Sequence, residues 1–427
     1  MCYAIPGKVV EIKKNIALID YYGEKRKVLN ENREVRIGDY IYAQGGIILN
    51  KIPEKEALEI LDFWREKFQE LKKIDKKISK INKTESSENL LKILQRVNKN
   101  QELTKEEMSY ILNINNENEL KLLYETANNQ RQKHNDNACC VHGIIEFSNY
   151  CKNNCHYCGI RRDSKVERYR MSPEEIIKTA ENAVKNLGFK ALVLQSGEDF
   201  YYDEEKLTQI VKELKKLEIL IFLSIGVRSK KTYANLYEAG ARAILMRFET
   251  SNKELFEKLR PETNFEERIS LIKYLKEIGY VVATGFLIGL PNETENDAIN
   301  NILLTKKLDA DMYSLGPFIP CIGTPLEKSS LVNKDKVLKI IALSRLTNLD
   351  AKILVTTALE TLDKKTKKLG LLSGGNSLMI NVTPKKYKEL YSIYPNKAGT
   401  KNEVEEEIKS TLDLLYSLGR APTDLGI

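Results

Sequence analysis

Three cysteines lie within eight residues, at Cys151, Cys155 and Cys158, directly after an apolar run with the character of a β-strand. Cysteine thiolates hold iron–sulfur clusters, and this close spacing lets one loop surround a single cluster. A cluster of four irons held by three thiolates leaves one iron open to a small molecule. A structural zinc site is the competing interpretation, but it needs four protein ligands, and only His142 and His156 lie near. The spacing therefore predicts an iron–sulfur centre with one open position.

The segment from Cys151 to Cys158, with Tyr157 directly before the third cysteine, resembles the cysteine motif of the radical S-adenosylmethionine (SAM) superfamily. In that superfamily the amino and carboxylate groups of SAM chelate the open iron. The resemblance implies that Cys151, Cys155 and Cys158 are metal ligands, that Tyr157 lies at the cofactor, and that a [4Fe–4S] cluster and SAM are the cofactors.

Composition narrows the function classes. The 427 residues are 42% hydrophobic and 30% charged, with a net charge of +8, and the lysines are spread beside glutamates instead of forming a basic stripe with aromatic residues. No apolar run is long enough for a membrane span, and the N-terminus lacks the layout of a signal peptide. Seven cysteines, three of them crowded together, argue against a disulfide framework. We expect a cytoplasmic protein that binds neither nucleic acid nor membranes.

Eight strand-like runs alternate with helix-like segments over most of the chain, which predicts a parallel sheet that can close into a (β/α)8 barrel of the TIM type. An open sheet is the competing architecture. Active sites in such barrels lie at the C-terminal ends of the strands, where the cysteine loop falls. The predicted strands are 141–149, 191–197, 219–225, 242–248, 281–289, 311–317, 352–358 and 377–382. The predicted helices are 173–187, 204–216, 230–239, 265–279, 295–308 and 334–348.

The first part of the chain predicts a separate, small all-β barrel followed by a helix. Its β-branched runs are separated by turn residues, and an apolar stripe predicts a helix from about Glu54 to Leu71. The four predicted strands are Gly7 to Ile12, Ile16 to Tyr21, Glu24 to Asn30 and Asp39 to Ile48. The expected divisions are 1–71 for the small barrel with its helix, 72–86 for a linker, 87–135 for a lead-in of two helices, 136–395 for the large barrel and 396–427 for a C-terminal helix.

The start Met-Cys-Tyr-Ala-Ile-Pro-Gly and the later Gly38-Asp39-Tyr40 resemble the HypC/HupF family of NiFe-hydrogenase assembly chaperones. The resemblance implies that Cys2 is a metal ligand that carries an iron carbonyl–cyanide unit once Met1 is removed. That family has a histidine shortly after the Gly-Asp-Tyr segment, and this chain has Gln44 there. A docking module that keeps only the fold is the alternative. Other hydrogenase maturation proteins are the partners that this resemblance implies.

Polar residues and a glycine stand at the ends of predicted strands, where they would surround a cofactor. The segment Ser196-Gly197-Glu198 follows the second strand and resembles the superfamily's Gly-Gly-Glu motif, which meets the SAM amino group. Arg247 and Glu249 end the fourth strand, where an arginine can form a bidentate pair with the SAM carboxylate. Gly289 ends the fifth strand, where a glycine lets the backbone approach a ligand.

From about residue 90 to 395 the chain resembles the HydE family of FeFe-hydrogenase maturases, which is close to biotin synthase and methylornithine synthase. The resemblance implies reductive cleavage of SAM to a 5′-deoxyadenosyl radical, which acts on an organometallic iron species bound for the hydrogenase cofactor. The segments that carry it are Ile145-Glu146-Phe147-Ser148-Asn149, Gly159-Ile160-Arg161-Arg162-Asp163, Arg168-Tyr169-Arg170-Met171, Leu194-Gln195-Ser196-Gly197-Glu198-Asp199, Leu259-Arg260-Pro261-Glu262-Thr263, Gly316-Pro317-Phe318-Ile319-Pro320, Thr356-Thr357-Ala358 and Tyr394-Pro395.

The same resemblance assigns residues to the substrate. Position in the chain places hydroxyl and amide donors in the lower barrel cavity, where polar groups are costly unless they meet a ligand or each other. The expected substrate residues are Gln195, Thr356, Thr357 and Asn376, and the expected catalytic residues are Met379 and Tyr387.

Three positions depart from the HydE pattern: Val227 replaces a glutamate, and Phe248 and Cys321 replace histidines. Val227 and Phe248 keep open a radical SAM enzyme that acts on an amino acid or another small substrate. A third alternative is an iron-cofactor chaperone without turnover. Cys139 and Cys140 are expected to be buried apolar residues, because that is the usual role of such cysteines.

Overall fold

The computed structural model describes residues 3–31, 35–82 and 85–426, so Cys2 lies outside the described residues. The chain begins with a small closed barrel in the order β1-β2-β3-β5-β4. Its strands are β1 (Gly7–Lys13), β2 (Ile16–Tyr21), β3 (Glu24–Leu29), β4 (Tyr40–Gln44) and β5 (Ile47–Ile52).

The prediction of one strand from Asp39 to Ile48 is wrong, because this stretch is an antiparallel hairpin of β4 and β5. Gly45 and Gly46 form its turn with φ of 60° and 83°. Glycine adopts this left-handed region without a steric penalty, so the chain reverses inside a run that reads as one strand.

Helix α1 (Glu54–Ile78) is longer than predicted and takes up the first half of the expected linker. Asp75, within that segment, is fully buried and pairs with the equally buried Arg131 at 2.7 Å. A lysine-rich sequence suggested a solvated linker, but one face of it packs against the rest of the chain. The linker prediction for 72–86 is therefore wrong for residues 72–78.

Three helices, not the predicted two, lead into the large barrel: α2 (Glu88–Asn98), α3 (Lys105–Leu112) and α4 (Glu117–Asn135). Thr104 and Glu107 form a reciprocal capping box at the start of α3. Such a box satisfies two backbone donors that a helix start otherwise leaves open, and it separates α3 from α2.

The large barrel is closed and its strands are parallel, as predicted. The predicted fifth strand is split in two, and its first half pairs with both neighbours to close the barrel. The strands are β6 (Ala138–Ser148), β7 (Ala191–Ser196), β8 (Leu220–Ser224), β9 (Ala243–Leu245), β10 (Val281–Thr284), β11 (Leu287–Ile288), β12 (Met312–Pro317), β13 (Lys352–Val355) and β14 (Ser377–Asn381).

The outer helices end within two residues of the predicted bounds where a helix was predicted. They are α5 (Pro173–Lys185), α6 (Glu204–Lys215), α7 (Lys230–Ala239), α8 (Lys253–Leu259), α9 (Phe265–Glu277), α10 (Glu295–Lys307), α11 (Lys334–Thr347), α12 (Thr357–Leu362), α13 (Thr366–Leu372) and α14 (Lys385–Lys388). The C-terminal segment holds α15 (Val404–Ser417) and also β15 (Ala421–Pro422), which pairs with the start of β6. Among the described residues, no helix is long and apolar enough to cross a membrane.

The small barrel packs against the base of the large barrel, where the parallel strands begin. A side-chain carbon on Gly45 would lie 2.9 Å from Leu220 and 3.6 Å from Val281, the first residues of β8 and β10. Ile47 joins the apolar cluster inside this end of the large barrel. The turn between β4 and β5 therefore covers the base, and the opposite end is left for chemistry.

Candidate active site

A cavity of about 320 Å³ lies inside the large barrel, among residues at the C-terminal ends of its strands. Cys151, Cys155 and Cys158 line it, because their loop directly follows β6. Parallel strands bring their carboxyl ends to one edge. The structure thus brings the three predicted cluster ligands to the mouth of one cavity.

Backbone hydrogen bonds hold the cysteine loop in place. The amide of His156 donates to the carbonyl of Leu259 at 2.8 Å, and the amide of Gly159 donates to Ile393 at 2.9 Å. The amide of Glu198 points at the Cys151 sulfur, 3.4 Å away. Such a donor stabilises a thiolate more than a thiol, as a cluster ligand requires.

The chemistry of the donor set fits an iron–sulfur cluster. Burial raises the pKa of Cys151 and of Cys158 above the usual thiol range, and the neighbouring thiolates raise the pKa of Cys158 further. Three thiolates this close therefore need a positive centre between them. Iron supplies that charge, and cysteine thiolates are its normal ligands in clusters.

Two glycines keep the floor beneath the cysteine loop closely packed. A side-chain carbon on Gly197 would lie 2.2 Å from the Tyr150 carbonyl oxygen and 2.8 Å from Cys151 Cβ. One on Gly226, which has a φ of 71°, would lie 1.9 Å from Glu198. Neither position has room for a larger residue, so the end of β7 approaches the cluster loop through its backbone.

Glu198 lies among cations. Its carboxylate is 3.1 Å from Arg268 and 3.6 Å from Arg260, and all three side chains are almost fully buried. Lys152, which is half-exposed, lies 3.9 Å away. Neither arginine was predicted as a site residue: Arg260 stands only within a segment that carries the family resemblance, and the local sequence around Arg268 is that of an ordinary helix. Glu198 therefore neutralises buried guanidinium groups as well as facing the cavity.

Tyr157 and Glu249 are connected through Arg260, which donates to the Tyr157 hydroxyl at 2.6 Å and lies 3.9 Å from the Glu249 carboxylate. Burial raises the pKa of Tyr157 well above its usual range, so its hydroxyl stays protonated. Glu249 has a φ of 70°, which is uncommon for a residue with a side chain. Strained backbone of this kind clusters at functional sites.

Arg247 brings a cation into the cavity, where its Nε donates to the Ser314 hydroxyl at 2.9 Å. Within the described part of the chain, Arg247 forms no ion pair with a carboxylate. Its guanidinium is therefore available for an anionic group of a cofactor or substrate, in keeping with its predicted role.

The far wall of the cavity contains four more predicted residues: Gln195, Thr356, Thr357 and Met379. The Thr357 hydroxyl lies 2.9 Å from the hydroxyl of Tyr394. The buried Thr356 hydroxyl has no hydrogen-bond partner among the described residues. A buried polar atom is costly to leave unpaired, so Thr356 is well suited to contact a ligand.

A buried ion pair that was not predicted from the sequence also lines the cavity. Lys397 lies 2.6 and 2.7 Å from the two carboxylate oxygens of Glu146, and Asn381 donates to the same carboxylate at 2.7 Å. Glu146 lies on β6, whereas Lys397 comes from the loop before α15. The pair adds opposite charges to the lining of the cavity.

Three predicted site residues lie outside this cavity. Tyr387 stacks on Tyr169 and donates to Glu175 on the outside of the barrel. Asn376 precedes β14, at the base, where it accepts from the backbone of Ile353. These predictions fail because position in the chain does not fix which end or face of the barrel a residue reaches.

Gly289 is the third of these residues. A side-chain carbon there would meet Val332 at 2.5 Å, so the glycine accommodates a neighbouring loop instead of a ligand. The residues that depart from the HydE pattern also lie outside the cavity lining. Phe248 is fully buried near Phe286, with 6.0 Å between the ring centres, and Cys321 is buried beside Gly159.

The sequence matches three known families in order along the chain. Residues 1–64 match the HupF/HypC family, residues 145–304 the radical SAM superfamily and residues 314–419 the biotin and thiamin synthesis associated domain. Together with the closed parallel barrel and its three-cysteine loop, these matches define a radical SAM enzyme. Its cofactors are a [4Fe–4S] cluster and SAM.

Similarity to individual proteins narrows the family. The chain is 40% identical to the [FeFe] hydrogenase maturase subunit HydE of Thermotoga maritima over 75% of this chain and 92% of the relative. It is 33% identical to 3-methylornithine synthase of Methanosarcina acetivorans over 75% and 91%. The crystal structure of methylornithine synthase superposes with a TM-score of 0.67 at 28% identity, over 77% of this chain and 97% of that one. The chain belongs to the radical SAM family that contains HydE and 3-methylornithine synthase.

Proposed function

We propose that this enzyme takes part in building the active-site cofactor of an FeFe-hydrogenase, as a HydE-type maturase with a small organometallic substrate. The observation that carries the proposal is the sequence identity to HydE. It is 40%, against 33% to 3-methylornithine synthase, and it extends over 92% of the HydE chain. The HupF/HypC-like domain at the N-terminus supports it, because that resemblance also points to hydrogenase assembly.

Cys151, Cys155 and Cys158 would hold the cluster, and the backbone of the Ser196–Glu198 segment would meet the SAM amino group beside it. Arg247 would pair with the SAM carboxylate, because a guanidinium binds a carboxylate in a bidentate manner. When bound, the cluster supplies the electron that cleaves SAM reductively to the 5′-deoxyadenosyl radical.

The residues of this chain would bind and orient the cofactors and the substrate, and would keep water out of the cavity. Buried Arg260 and Arg268 fix the position of Glu198 beneath the cysteine loop. The covered base and closed barrel wall limit the access of water to the cavity, which prevents side reactions of reactive species. Thr356 and Thr357 would contact the substrate through their hydroxyl groups, and Met379 would pack against it.

Two further proposals concern the cellular compartment and the protein partners. Thiolate ligands and a cluster require a reducing compartment, which supports the cytoplasm as the place of work. We propose that the small barrel docks another hydrogenase maturation protein or receives an iron intermediate from it. Cys2 would be the ligand for such an intermediate, with Gln44 in the position of the family's histidine.

An amino-acid substrate is the second candidate, and the Glu146–Lys397 pair favours it. A zwitterion carries one group of each sign, and it could exchange partners with a carboxylate and an ammonium that lie 2.6 Å apart. With this function the chain would resemble 3-methylornithine synthase in activity as well as in sequence.

The test is anaerobic. The cluster is rebuilt with iron and sulfide and reduced, SAM is added, and 5′-deoxyadenosine is quantified for the native chain, for Cys155→Ser and for Cys321→Ala as a matched control. We expect product from the native chain and from Cys321→Ala, because Cys321 lies outside the cavity. Cleavage by Cys155→Ser at the native rate would refute the cluster assignment.

A second assay separates the two substrates. The enzyme is added to a maturation mixture that contains every component for an FeFe-hydrogenase except HydE, and hydrogenase activity is measured. In parallel, it is incubated with SAM and the common amino acids, and 3-methylornithine is sought by mass spectrometry. Restored hydrogenase activity supports the maturase, whereas 3-methylornithine without restored activity supports the second candidate.

A further inference from the structure

A second cluster of metal-ligating side chains lies at the base of the large barrel, at the opposite end from the cysteine loop. The ligand atoms of Cys140, His142 and Asp424 all lie within 4.8 Å of one another. The three residues are 3%, 2% and 2% exposed. Cys140 and His142 lie near the start of β6, and Asp424 follows β15, which pairs with the same strand.

A small cavity of about 10 Å³ separates this cluster from the turn of the small barrel. Cys140, His142 and Asp424 line it from the large barrel, and Gln44 and Gly45 line it from the small one. A space of roughly 10–15 Å³ holds a single water molecule or ion, provided that polar partners surround it. The cavity has those partners on both sides of the interface between the barrels.

Two buried polar atoms of residues lining this cavity have no hydrogen-bond partner among the described residues, His142 Nδ1 and Gln44 Oε1. The amide nitrogen of Gln44 donates to the carbonyl oxygens of Thr423 and Tyr3. These bonds fix the orientation of the amide, because only its nitrogen end can donate. The Gln44 oxygen is therefore left without a partner, although burying such an atom is costly.

The donor types indicate which ligand would satisfy the Gln44 oxygen. A thiolate, an imidazole and a carboxylate suit Zn²⁺ and Fe²⁺, whereas Mg²⁺ and Ca²⁺ prefer oxygen ligands alone. His142 Nε2 and an Asp424 oxygen lie 3.2 Å apart, close to the spacing of two ligands bound to one ion at about 2.0–2.2 Å. Lys352 also lines the cavity.

We propose that Cys140, His142 and Asp424 bind one divalent transition-metal ion of the Zn²⁺ or Fe²⁺ type, with the Gln44 oxygen as the fourth ligand. Binding replaces the proton of the Cys140 thiol, and any proton on the coordinating imidazole nitrogen, with the metal. The thiolate and the carboxylate balance the two positive charges of the ion. The ion together with its four ligands is therefore electrically neutral. Because Gln44 belongs to the small barrel, the ion joins the two barrels.

Zinc is used as the probe, because added iron could not be distinguished from the iron of the [4Fe–4S] cluster in a metal analysis. Cluster-loaded protein is incubated anaerobically with Zn²⁺, passed over a desalting column and analysed for zinc by mass spectrometry. We expect about one zinc ion per native chain, and a loss of roughly tenfold or more in affinity for Cys140→Ser and Asp424→Asn. Cys139→Ala is the matched control, because Cys139 packs in the neighbouring apolar core and should keep the zinc.

Folding is checked by the cluster absorbance and by circular dichroism. If Cys140→Ser fails to fold, Gln44→Ala and Gln44→His replace it, since that side chain lies in a separate barrel. Gln44→Ala should weaken zinc binding about tenfold, and Gln44→His should restore or strengthen it, because imidazole is a better zinc ligand than an amide. No zinc on the native chain, or equal zinc affinity in all variants, would overturn the proposal, since the cavity would then hold only water.

Discussion

Lys397→Met tests the energetics of the charge pair in the active-site cavity. Lys397 contacts both oxygens of Glu146 at 2.6 and 2.7 Å, and the two side chains are 8% and 4% exposed. Methionine keeps most of the side-chain length but lacks the ammonium, so the Glu146 carboxylate would rely on Asn381, 2.7 Å away. Loss of one member of a buried ion pair costs about 3–5 kcal/mol, because the other charge stays out of water.

We expect Lys397→Met to lower the free energy of unfolding by about 3 kcal/mol, the lower end of that range, because water enters an open cavity more easily than a core. The companion variant is Glu146→Gln combined with Lys397→Met. It removes both charges and keeps the shape, and replacing a whole buried pair is often close to neutral. The double variant should therefore be more stable than Lys397→Met alone.

The assay is urea unfolding of cluster-loaded protein under anaerobic conditions, followed by circular dichroism and compared through the midpoints. The reasoning is refuted if Lys397→Met unfolds at the native midpoint, or if the double variant is no more stable than the single one. A second readout concerns function. The double variant should still cleave SAM but form little product from the substrate, because the pair lines the same cavity as the proposed substrate residues Thr356 and Thr357.

Three further predictions concern other parts of the chain. Glu198→Gln removes the charge through which Arg260 and Arg268 hold the Ser196–Glu198 segment in place. Losing charge-assisted contacts of about 1.5–3 kcal/mol should displace the backbone proposed to meet SAM and weaken SAM binding roughly 10- to 100-fold; calorimetry on cluster-loaded protein checks this, and unchanged affinity would contradict it. Tyr387→Phe should leave product formation unchanged, because that hydroxyl contacts Glu175 outside the cavity; a large loss of turnover would return it to the catalytic residues. Arg131→Met should lower the free energy of unfolding by about 3 kcal/mol, the lower end of the range for a broken buried pair, because Asp75 would keep only Arg420, 3.1 Å away, as its cation; a thermal midpoint equal to that of the native chain would contradict it.

Much of the large barrel could be predicted from the sequence, because each buried strand is a short apolar run between amphipathic helices. The cysteine loop and the Ser196–Glu198 segment could be placed as well, since both follow directly after such runs. The split of the strand at Gly45 was missed because both sides are strand-like, with Tyr40–Ala43 before the turn and Ile47 and Ile48 after it. Helix α1 was cut short because lysine content suggested a solvated linker.

The electrostatics of the site could not be predicted in the same way. Arg268 and Lys397 are ordinary basic residues in sequence, and only the closure of the barrel shows that both are buried beside carboxylates. Asn376 and Tyr387 were assigned to the cavity from their order along the chain. Order determines the strand to which a residue belongs, but the end and face that it occupies depend on the register of the barrel.

The contact of the Gly45 turn with the barrel base has a further consequence, because both partners belong to one polypeptide. A contact within one chain forms at an effective concentration that is set by the connection and does not fall when the protein is diluted. Even a contact that separate proteins would make only weakly is then occupied in nearly every molecule. The stoichiometry of the two barrels is fixed at one to one, and the base stays covered however dilute the protein becomes.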